Sequence, residues 1–340
     1  MTQPDGEYPP VTPQTRQAAT SVDVAYRGVP VLVLGGSGFI GAWTVRALCA
    51  RGAAVTAVAR DPARAAAAIA SAVRDVRVET ADLERPGAVT RLIDEVAPSV
   101  VFNLAGYGVD RSERDPARMA VLNAGVVDEL CTRLAAVPAV GWGGPRLVHA
   151  GSALEYGRLS GPLHERVPVN PTTEYGRTKL EGTRLVQAHC LSSQLRAVVA
   201  RLFTVYGPGE HSDRLLPALM RAARSRVRLG LTTGRQRRSF TYVADVADGL
   251  LRLGTSSAGP GEIVNLATGR LTSVREFAET AADVLGMDRA LLDFGALPDR
   301  DDEMWHGEVD VARLRELTSW LPPTSIADGI RRSLEFGDAV

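Results

Sequence analysis

The sequence is almost without lysine. Of its 39 lysine and arginine residues, only Lys179 is a lysine. Such a preference for arginine over lysine reflects the base composition of the genome. The one lysine that remains is therefore a candidate for chemistry that a guanidinium cannot perform. An ammonium is a compact point charge that can lie beside a phenol, and Tyr175 stands four residues before Lys179.

Three further scarcities narrow the class of protein. The 3 cysteines, Cys49, Cys131 and Cys190, lack CxxC spacing, so we expect reduced thiols rather than a disulfide framework or a metal site. No apolar run is long enough to span a bilayer. The 39 acidic and 39 basic residues balance, so no overall charge attracts nucleic acid or an anionic membrane. Small molecules are the expected partners.

Residues 1–28 are rich in proline, threonine and glutamine. They lack the apolar stretch of a signal peptide, and their composition predicts a disordered leader. We therefore expect a cytoplasmic protein.

From Val29 onward, short β-branched runs alternate with longer amphipathic stretches. This alternation is typical of βαβ units that build a parallel sheet. Strands are predicted at 31–34, 54–59, 76–80, 100–104, 147–150, 197–202 and 263–266, and long helices at 39–51, 62–74, 88–96, 116–136 and 173–193. The predicted fold class is α/β, with a doubly wound parallel sheet of the Rossmann type.

A glycine-rich turn lies between the first strand and the first long helix. It contains Gly35, Gly38, Phe39, Ile40 and Gly41. Amide groups at a helix N-terminus can bind a pyrophosphate, and glycines let the backbone approach it. The strand before the turn and the helix after it favour dinucleotide binding over an ordinary tight turn.

The end of the second strand indicates which dinucleotide is bound. An acidic residue there accepts from the ribose 2′-hydroxyl of NAD, whereas the 2′-phosphate of NADP needs a cation. Arg60 suits the phosphate, so NADP(H) is the preferred cofactor. Asp61 keeps NAD possible if the strand register differs by one residue. Asp82, after the third strand, is placed to meet the adenine edge, or else it is a helix cap.

The regular alternation ends after Arg201, where Gly207 and Gly209 interrupt the chain. We expect residues 29–203 and 245–270 to form a dinucleotide-binding domain. Residues 204–244 and 271–335 are expected to form a smaller, discontinuous α/β substrate lobe.

Several motifs follow one another along the chain. They are the glycine turn, Asn103 to Gly106, Asn123, Ser152 to Gly157, Tyr175-x-x-x-Lys179, Arg201 to Gly209 and Arg238 to Asp245. In this order they resemble the extended short-chain dehydrogenase/reductase family, which includes nucleotide-sugar epimerases, dehydratases and ketoreductases. The resemblance covers the chain from Val29 to about Glu335. It implies an enzyme that moves a hydride between a nicotinamide and a sugar carbon.

Ser152, Tyr175 and Lys179 are the expected catalytic residues. Tyr175 and Lys179 share one helix face, so the ammonium can stabilise the phenolate and lower the tyrosine pKa from about 10. Ser152, at the carboxyl end of its strand, is placed to hydrogen-bond the reacting oxygen. The expected cofactor contacts, besides the glycine turn, are Arg60, Asp82, Leu83, Leu104, Ala105, Tyr175 and Lys179.

The expected reaction is the NADPH-dependent reduction of a nucleotide-activated keto sugar, a 4-keto-6-deoxyhexose. The dehydratases that the chain resembles carry an Asp-Glu pair directly after the catalytic serine or threonine, whereas Ala153 and Leu154 stand here. Glu155 replaces that pair only if the local register is shifted. The main alternative is an NAD-dependent nucleotide-sugar 4-epimerase. A non-catalytic NADP sensor, which needs only the glycine turn, is another.

Substrate contacts are expected from arginines, because their guanidinium groups bind phosphate bidentately. The resemblance places a pyrophosphate contact at Arg238, and Arg300 is a second candidate. A solvated basic turn is the other explanation for Arg237 and Arg238. Thr204 stands where many nucleotide-sugar enzymes have asparagine, which leaves its substrate contacts open. The resemblance also implies a homodimer through the helices at 116–136 and 173–193.

Overall fold

A computed structural model describes most of the chain. The described residues are 21–61, 63, 76–110, 112–138, 141–159, 161–299 and 304–338. Arg300 lies outside them, and so does the helix predicted at 62–74, apart from residue 63.

A parallel sheet of seven strands forms the centre of the described structure. The described strands of this sheet and of three smaller sheets are, in chain order, β1 Pro30–Leu34, β2 Ala54–Ala59, β3 Arg77–Thr80, β4 Val100–Asn103, β5 Leu147–Ser152, β6 Ala197–Leu202, β7 Thr204–Tyr206, β8 Leu229–Leu231, β9 Arg237–Arg238, β10 Phe240–Tyr242, β11 Glu262–Leu266, β12 Thr272–Ser273 and β13 Leu292–Phe294. The sheet order is β11-β6-β5-β4-β1-β2-β3. Its central strands are fully buried, as is typical of a parallel sheet covered on both faces. The predicted doubly wound α/β class is confirmed.

Helices cover both faces of this sheet. They are α1 Ser21–Ala25, α2 Phe39–Ala50, α3 Ala88–Val96, α4 Pro116–Ala120, α5 Val126–Ala136, α6 Glu174–Ser192, α7 Leu215–Ser225, α8 Val243–Gly254, α9 Val274–Leu285, α10 Ala312–Thr318 and α11 Ile326–Asp338. One buried cluster joins α2 and α8 to one face of the sheet, and a second joins α3, α5 and α6 to the other. Within the described part of the chain, no helix has the length and apolar character that crossing a membrane requires.

Three small two-stranded sheets lie outside the central one. They pair β7 with β10, β8 with β13, and β9 with β12. These pairings draw residues 204–242 together with residues 272–294, while β11 returns to the central sheet beside β6. The exact division of the chain into a dinucleotide-binding domain and a substrate lobe stays a prediction.

Residues 21–28 are folded, although a disordered leader was predicted to reach residue 28. The Tyr26 ring is buried, and its hydroxyl donates to the Leu251 carbonyl at 2.7 Å. Asp23 accepts from Arg51 at 3.1 Å. The prediction failed here because a composition averaged over residues 1–28 conceals the short apolar helix at their end.

The three cysteines are free thiols. Cys131 and Cys190 are buried, and burial raises the pKa of both thiols. A thiol with a raised pKa is a poor nucleophile, so neither residue suits catalysis.

Candidate active site

The glycine turn between β1 and α2 is closely packed against the backbone and has no room for a side chain at two of its positions. Gly35 has a φ of +75°, and a Cβ atom there would lie 2.8 Å from backbone atoms of Leu104 and Ala105. A Cβ atom on Gly41 would overlap the Gly35 carbonyl oxygen. Helix α2 begins at Phe39, and no side chain caps it. The first amides of the helix therefore suit a pyrophosphate, the group that such turns hold in dinucleotide-binding folds.

Arg60 follows the last residue of β2 and is exposed. Its guanidinium lies 3.6 Å from Glu84, which is held more tightly by Arg118 at 2.5 Å. Asp61 instead accepts from the Ala63 amide at 2.8 Å, a turn contact common for aspartate. Of the two residues considered for the adenosine ribose, Arg60 thus makes the longer contact, 3.6 Å against 2.8 Å for Asp61.

Asp82 caps a turn after β3. Its carboxylate accepts from the Glu84 amide at 3.1 Å and lies 3.7 Å from the Arg85 side chain. Leu83, next to it, is buried. Asp82 is not a helix cap, because the N-cap of α3 is Gly87. The turn contacts account for the Asp82 carboxylate, and a contact of Asp82 or Leu83 with adenine stays a prediction.

Asn123 fixes the loop after β4, which carries Leu104 and Ala105. Its side-chain oxygen accepts from the Tyr107 amide at 3.0 Å. Its side-chain nitrogen donates to the Tyr107 carbonyl and to the Thr178 hydroxyl, both at 2.9 Å. Asn123 lies in a π-helical turn between α4 and α5, and such turns frequently occur at functional sites. The contact with Thr178 connects the predicted cofactor loop to α6.

Ser152 and Tyr175 come together at the carboxyl edge of the sheet. Ser152 is the last residue of β5. Thr173 caps α6 by accepting from the Gly176 amide at 3.0 Å, which places Tyr175 in the first turn of that helix. Burial raises the pKa of Tyr175, and hydrogen bonding to Ser152 lowers it in part.

Lys179 lies one turn further along α6 and is buried. Burial lowers its pKa to about 8, and the charge of Glu155 partly offsets this effect. The pKa of His149 is lowered mainly by burial and also by Lys179. We predicted that the ammonium would lower the pKa of Tyr175, but that pKa is raised. The prediction was wrong because burial of the phenol outweighs the favourable charges around it.

Glu155 is fully buried beneath this group. One carboxylate oxygen accepts from the Ser152 amide at 2.7 Å. The other accepts from the Thr183 hydroxyl at 3.0 Å and from the Arg201 side chain at 2.9 Å. Both oxygens are engaged within the protein. The idea that Glu155 replaces the Asp-Glu pair of the dehydratases is therefore wrong.

Two loops place further charges near Tyr175. Glu113 accepts from the Gly108 amide at 2.8 Å, and a Cβ atom on Gly108 would lie 3.1 Å from the Tyr175 ring. In the other loop, Arg214 lies 3.3 Å from Glu210. Burial is the main cause that raises the pKa of Tyr175, to which Glu113 adds, whereas Arg214 lowers it. Burial raises the pKa of Glu210 to about 7.

Arg238 and Thr204 lie in the smaller sheets. The Arg238 guanidinium is partly buried and donates to the carbonyls of Arg237 and Met304 at 2.7 and 2.6 Å. Burial lowers its pKa to about 10. The Thr204 amide donates to the Ser239 carbonyl at 3.2 Å. These contacts order Arg238 more than a solvated turn would, while its contact with a substrate, and that of Thr204, stay predictions.

The roles of Glu155, Glu113 and Arg214 around Tyr175 were not predicted from the sequence. For Glu155 a signal was present, because the Ser-x-x-Glu pattern that begins at Ser152 is typical of a capping box. The structure contains that box. Glu113 and Arg214 carry no local signal, since they come near Tyr175 only when two distant loops meet.

A doubly wound sheet with a bare glycine turn, and a serine and a tyrosine at its carboxyl edge, defines a class of dinucleotide-dependent oxidoreductases. Residues 31–267 match the family model described as the NAD dependent epimerase/dehydratase family. The chain belongs to this family. It is an NAD(P)-dependent enzyme of the extended short-chain dehydrogenase/reductase type, as the resemblance implied.

Two characterised relatives are similar along almost their whole length. The UDP-glucose 4-epimerase of Mycolicibacterium smegmatis is 31% identical over 318 residues, which cover 90% of this chain and 97% of the relative. The dTDP-6-deoxy-L-talose 4-dehydrogenase (NAD(P)(+)) of Kitasatospora kifunensis is 28% identical over 314 residues, which cover 88% of this chain and 93% of the relative.

Solved structures show the same architecture. MoeE5 in complex with UDP-glucuronic acid and NAD superposes with a TM-score of 0.76 at 27% identity, covering 91% of this chain and 98% of that one. The UDP-glucuronic acid 4-epimerase of Bacillus cereus, with UDP-glucuronic acid and NAD, gives a TM-score of 0.78 at 24% identity, covering 90% and 98%. This second likeness supports the fold alone.

Proposed function

We propose that this enzyme is a nucleotide-sugar 4-epimerase that uses NAD(P). The observation that carries the proposal is the engagement of Glu155 within the protein, which leaves Ser152 and Tyr175 for oxidation and reduction and no carboxylate of that turn for elimination. The similarity to a 4-epimerase over 97% of its length favours epimerisation over net reduction. Epimerisation, the main alternative expected from the sequence, is therefore favoured over the reduction of a keto sugar.

The residues of the chain divide the work between binding and proton transfer. When bound, the nicotinamide would accept the hydride from the sugar and return it. The amides of the glycine turn bind the pyrophosphate of the cofactor. Ser152 orients the oxygen on C4 of the sugar, and Tyr175 exchanges a proton with it.

The raised pKa keeps Tyr175 protonated at neutral pH, which is the state that donates to a C4 carbonyl oxygen. The opposite step needs the phenolate, which accepts the proton of the C4 hydroxyl. Positive charge favours that phenolate. Arg214 lowers the pKa of Tyr175, and we assign the same role to Lys179, which lies four residues further along α6.

The second candidate function is an NADPH-dependent reduction of a nucleotide-activated 4-keto sugar. The loosely held Arg60 favours it, because a cation after β2 suits the 2′-phosphate of NADP. The similarity to a 4-dehydrogenase named for NAD(P)(+) also favours it. The preference for NADP(H) over NAD is thus part of this second candidate.

We further propose a nucleotide sugar as the substrate, with Arg238 at its diphosphate, and a cytoplasmic homodimer as the working form. The family resemblance implies that the contact of this dimer lies on the helices at 116–136 and 173–193. Light scattering of the purified protein tests the dimer.

One assay separates the two candidate functions. The purified enzyme is incubated with UDP- and dTDP-linked hexoses and, separately, with a dTDP-linked 4-keto-6-deoxyhexose. The products are identified by proton NMR while NADPH absorbance is recorded. Epimerisation predicts C4 epimers with no net consumption of NADPH. Stoichiometric loss of NADPH with a 4-keto sugar would establish the reductase instead. Turnover of neither substrate class would contradict both.

A further inference from the structure

Glu155 connects three elements: the turn after β5, strand β6 and helix α6, which covers the sheet. It ends the short 3-10 turn Ala153–Glu155 after β5, where it accepts from the Ser152 amide. The Thr183 hydroxyl on α6 and the Arg201 side chain on β6 donate to its other oxygen. Neither Glu155 nor Arg201 is more than 1% exposed. A carboxylate so placed cannot touch a substrate, yet it contacts the backbone of a predicted catalytic residue.

One face of helix α6 carries the residues on which this carboxylate acts. Tyr175, Lys179 and Thr183 are spaced four residues apart, so they lie above one another along the helix. The first of them meets Ser152, and the last donates to Glu155. Glu155 therefore links the strand end that carries Ser152 to the helix face that carries Tyr175 and Lys179.

We infer that Glu155 is a positioning residue, which fixes Ser152 against the face of α6 that carries Tyr175 and Lys179 by its hydrogen bonds to the Ser152 amide and to Thr183. Its negative charge also acts on Lys179, whose pKa it raises. The inference deepens the proposed function and rests on it, because the group being positioned is the one assigned to proton transfer. Arg201 balances the buried carboxylate, and Thr183 contributes a hydrogen bond without charge.

The electrostatic surroundings give the direction of the effect. The pKa of Lys179 is lowered by burial and raised by the charge of Glu155. Lys179 in turn lowers the pKa of His149 on β5. Tyr175 is influenced by burial, Ser152, Glu155, Glu113 and Arg214, in that order. Since Glu155 raises the pKa of both Lys179 and Tyr175, removing its charge should lower both.

The single lysine makes a direct measurement possible. Protein labelled with carbon-13 at the lysine ε position gives one lysine resonance, and its shift can be followed against pH. We expect a midpoint of about 8 for the unmodified protein. In Glu155→Gln the midpoint should fall by about one unit or more. Thr183→Val removes a hydrogen bond to the same carboxylate without altering charge, so its midpoint should stay in place.

A double variant keeps the experiment decisive. Glu155→Gln leaves Arg201 without its counter-charge, so the double variant Glu155→Gln/Arg201→Met removes both charges if the single variant does not fold. Its lysine midpoint should fall in the same way. Unchanged midpoints in these variants would overturn the electrostatic part of the inference.

Turnover supplies the second readout. The pH profile of kcat/KM should move to lower pH in Glu155→Gln and stay in place in Thr183→Val. A lower rate with an unmoved profile would mean that Glu155 is only structural. Because the lysine titration needs no substrate, failure of the proposed function appears separately, as absence of turnover in the unmodified enzyme.

Discussion

The Nδ1 atom of His211 lies 2.9 Å from the Asp110 carboxylate, and this contact joins the two loops that flank Tyr175. Hydrogen bonds from Ser112 lower the pKa of Asp110, and His211 and Arg214 lower it further. The carboxylate therefore stays ionised at neutral pH. The contact holds the two loops together without using a residue assigned to proton transfer.

Replacing His211 by alanine should weaken substrate binding more than turnover. Without the contact to Asp110 the two loops lose one link, and an exposed pair contributes only modestly, so KM should rise roughly two- to fivefold. Steady-state kinetics measure this. The matched control is His189→Ala, which removes an equivalent contact, 2.8 Å from Asp128, on a different surface. An equal rise of KM in both variants would contradict the assignment.

Replacing Tyr175 by phenylalanine should abolish proton exchange and leave binding intact. Loss of a general acid or base costs about 10²–10⁴ in rate, so kcat should fall by that factor. Affinity for the dinucleotide, measured by calorimetry, should change little. A variant that retains its full rate would show that another group carries the proton.

Activity should decline as the pH rises through about 8. Burial lowers the pKa of Lys179 to that value, so the ammonium is charged below it and neutral above it. Loss of the charge removes support for the phenolate of Tyr175. The pH profile of kcat/KM, which reports groups of the free enzyme, measures this limb. In Lys179→Arg the limb should disappear together with most of the activity, because a planar guanidinium cannot take the place of the compact ammonium. An alkaline limb that remained in this variant would have to come from another group.

The sequence predicted the sheet and the glycine turn well because both depend on local patterns. Valine-rich runs such as β1 are buried on both faces of a parallel sheet, and this burial is visible in one dimension. The direction of the Tyr175 pKa could not be predicted in this way. It depends on burial by loops distant in sequence, including the one that carries Gly108. Glu155 lay between these cases, since its capping pattern is local and its pairing with Arg201 is not.

Arg60 should decide between the two dinucleotides. If its guanidinium binds the 2′-phosphate, Arg60→Ala loses a charge-assisted contact worth about 1.5–3 kcal/mol, roughly a tenfold to hundredfold weaker binding of NADPH. Binding of NADH should be unaffected. Dissociation constants for both dinucleotides measure the ratio. Arg77→Ala, which removes an exposed arginine from the neighbouring β3, is the control. If the NADPH to NADH ratio were the same in Arg60→Ala as in the control, the 2′-phosphate assignment would be wrong.

Two glycines with left-handed backbones, Gly35 in the glycine turn and Gly87 before α3, separate the cost of backbone strain from an effect on dinucleotide binding. Gly35 and Gly87 have similar backbones, with φ values of +75° and +81°, but a Cβ on Gly35 meets backbone atoms at 2.8 Å while one on Gly87 meets nothing within 4 Å. Alanine at either site should cost about 1–2 kcal/mol of unfolding free energy from the left-handed conformation. Only Gly35→Ala should also displace the Leu104 loop and weaken dinucleotide binding, by at least tenfold. Denaturant unfolding and calorimetry measure the two effects. Equal dinucleotide affinity in the two variants would show that the turn tolerates a side chain and that the pyrophosphate lies elsewhere.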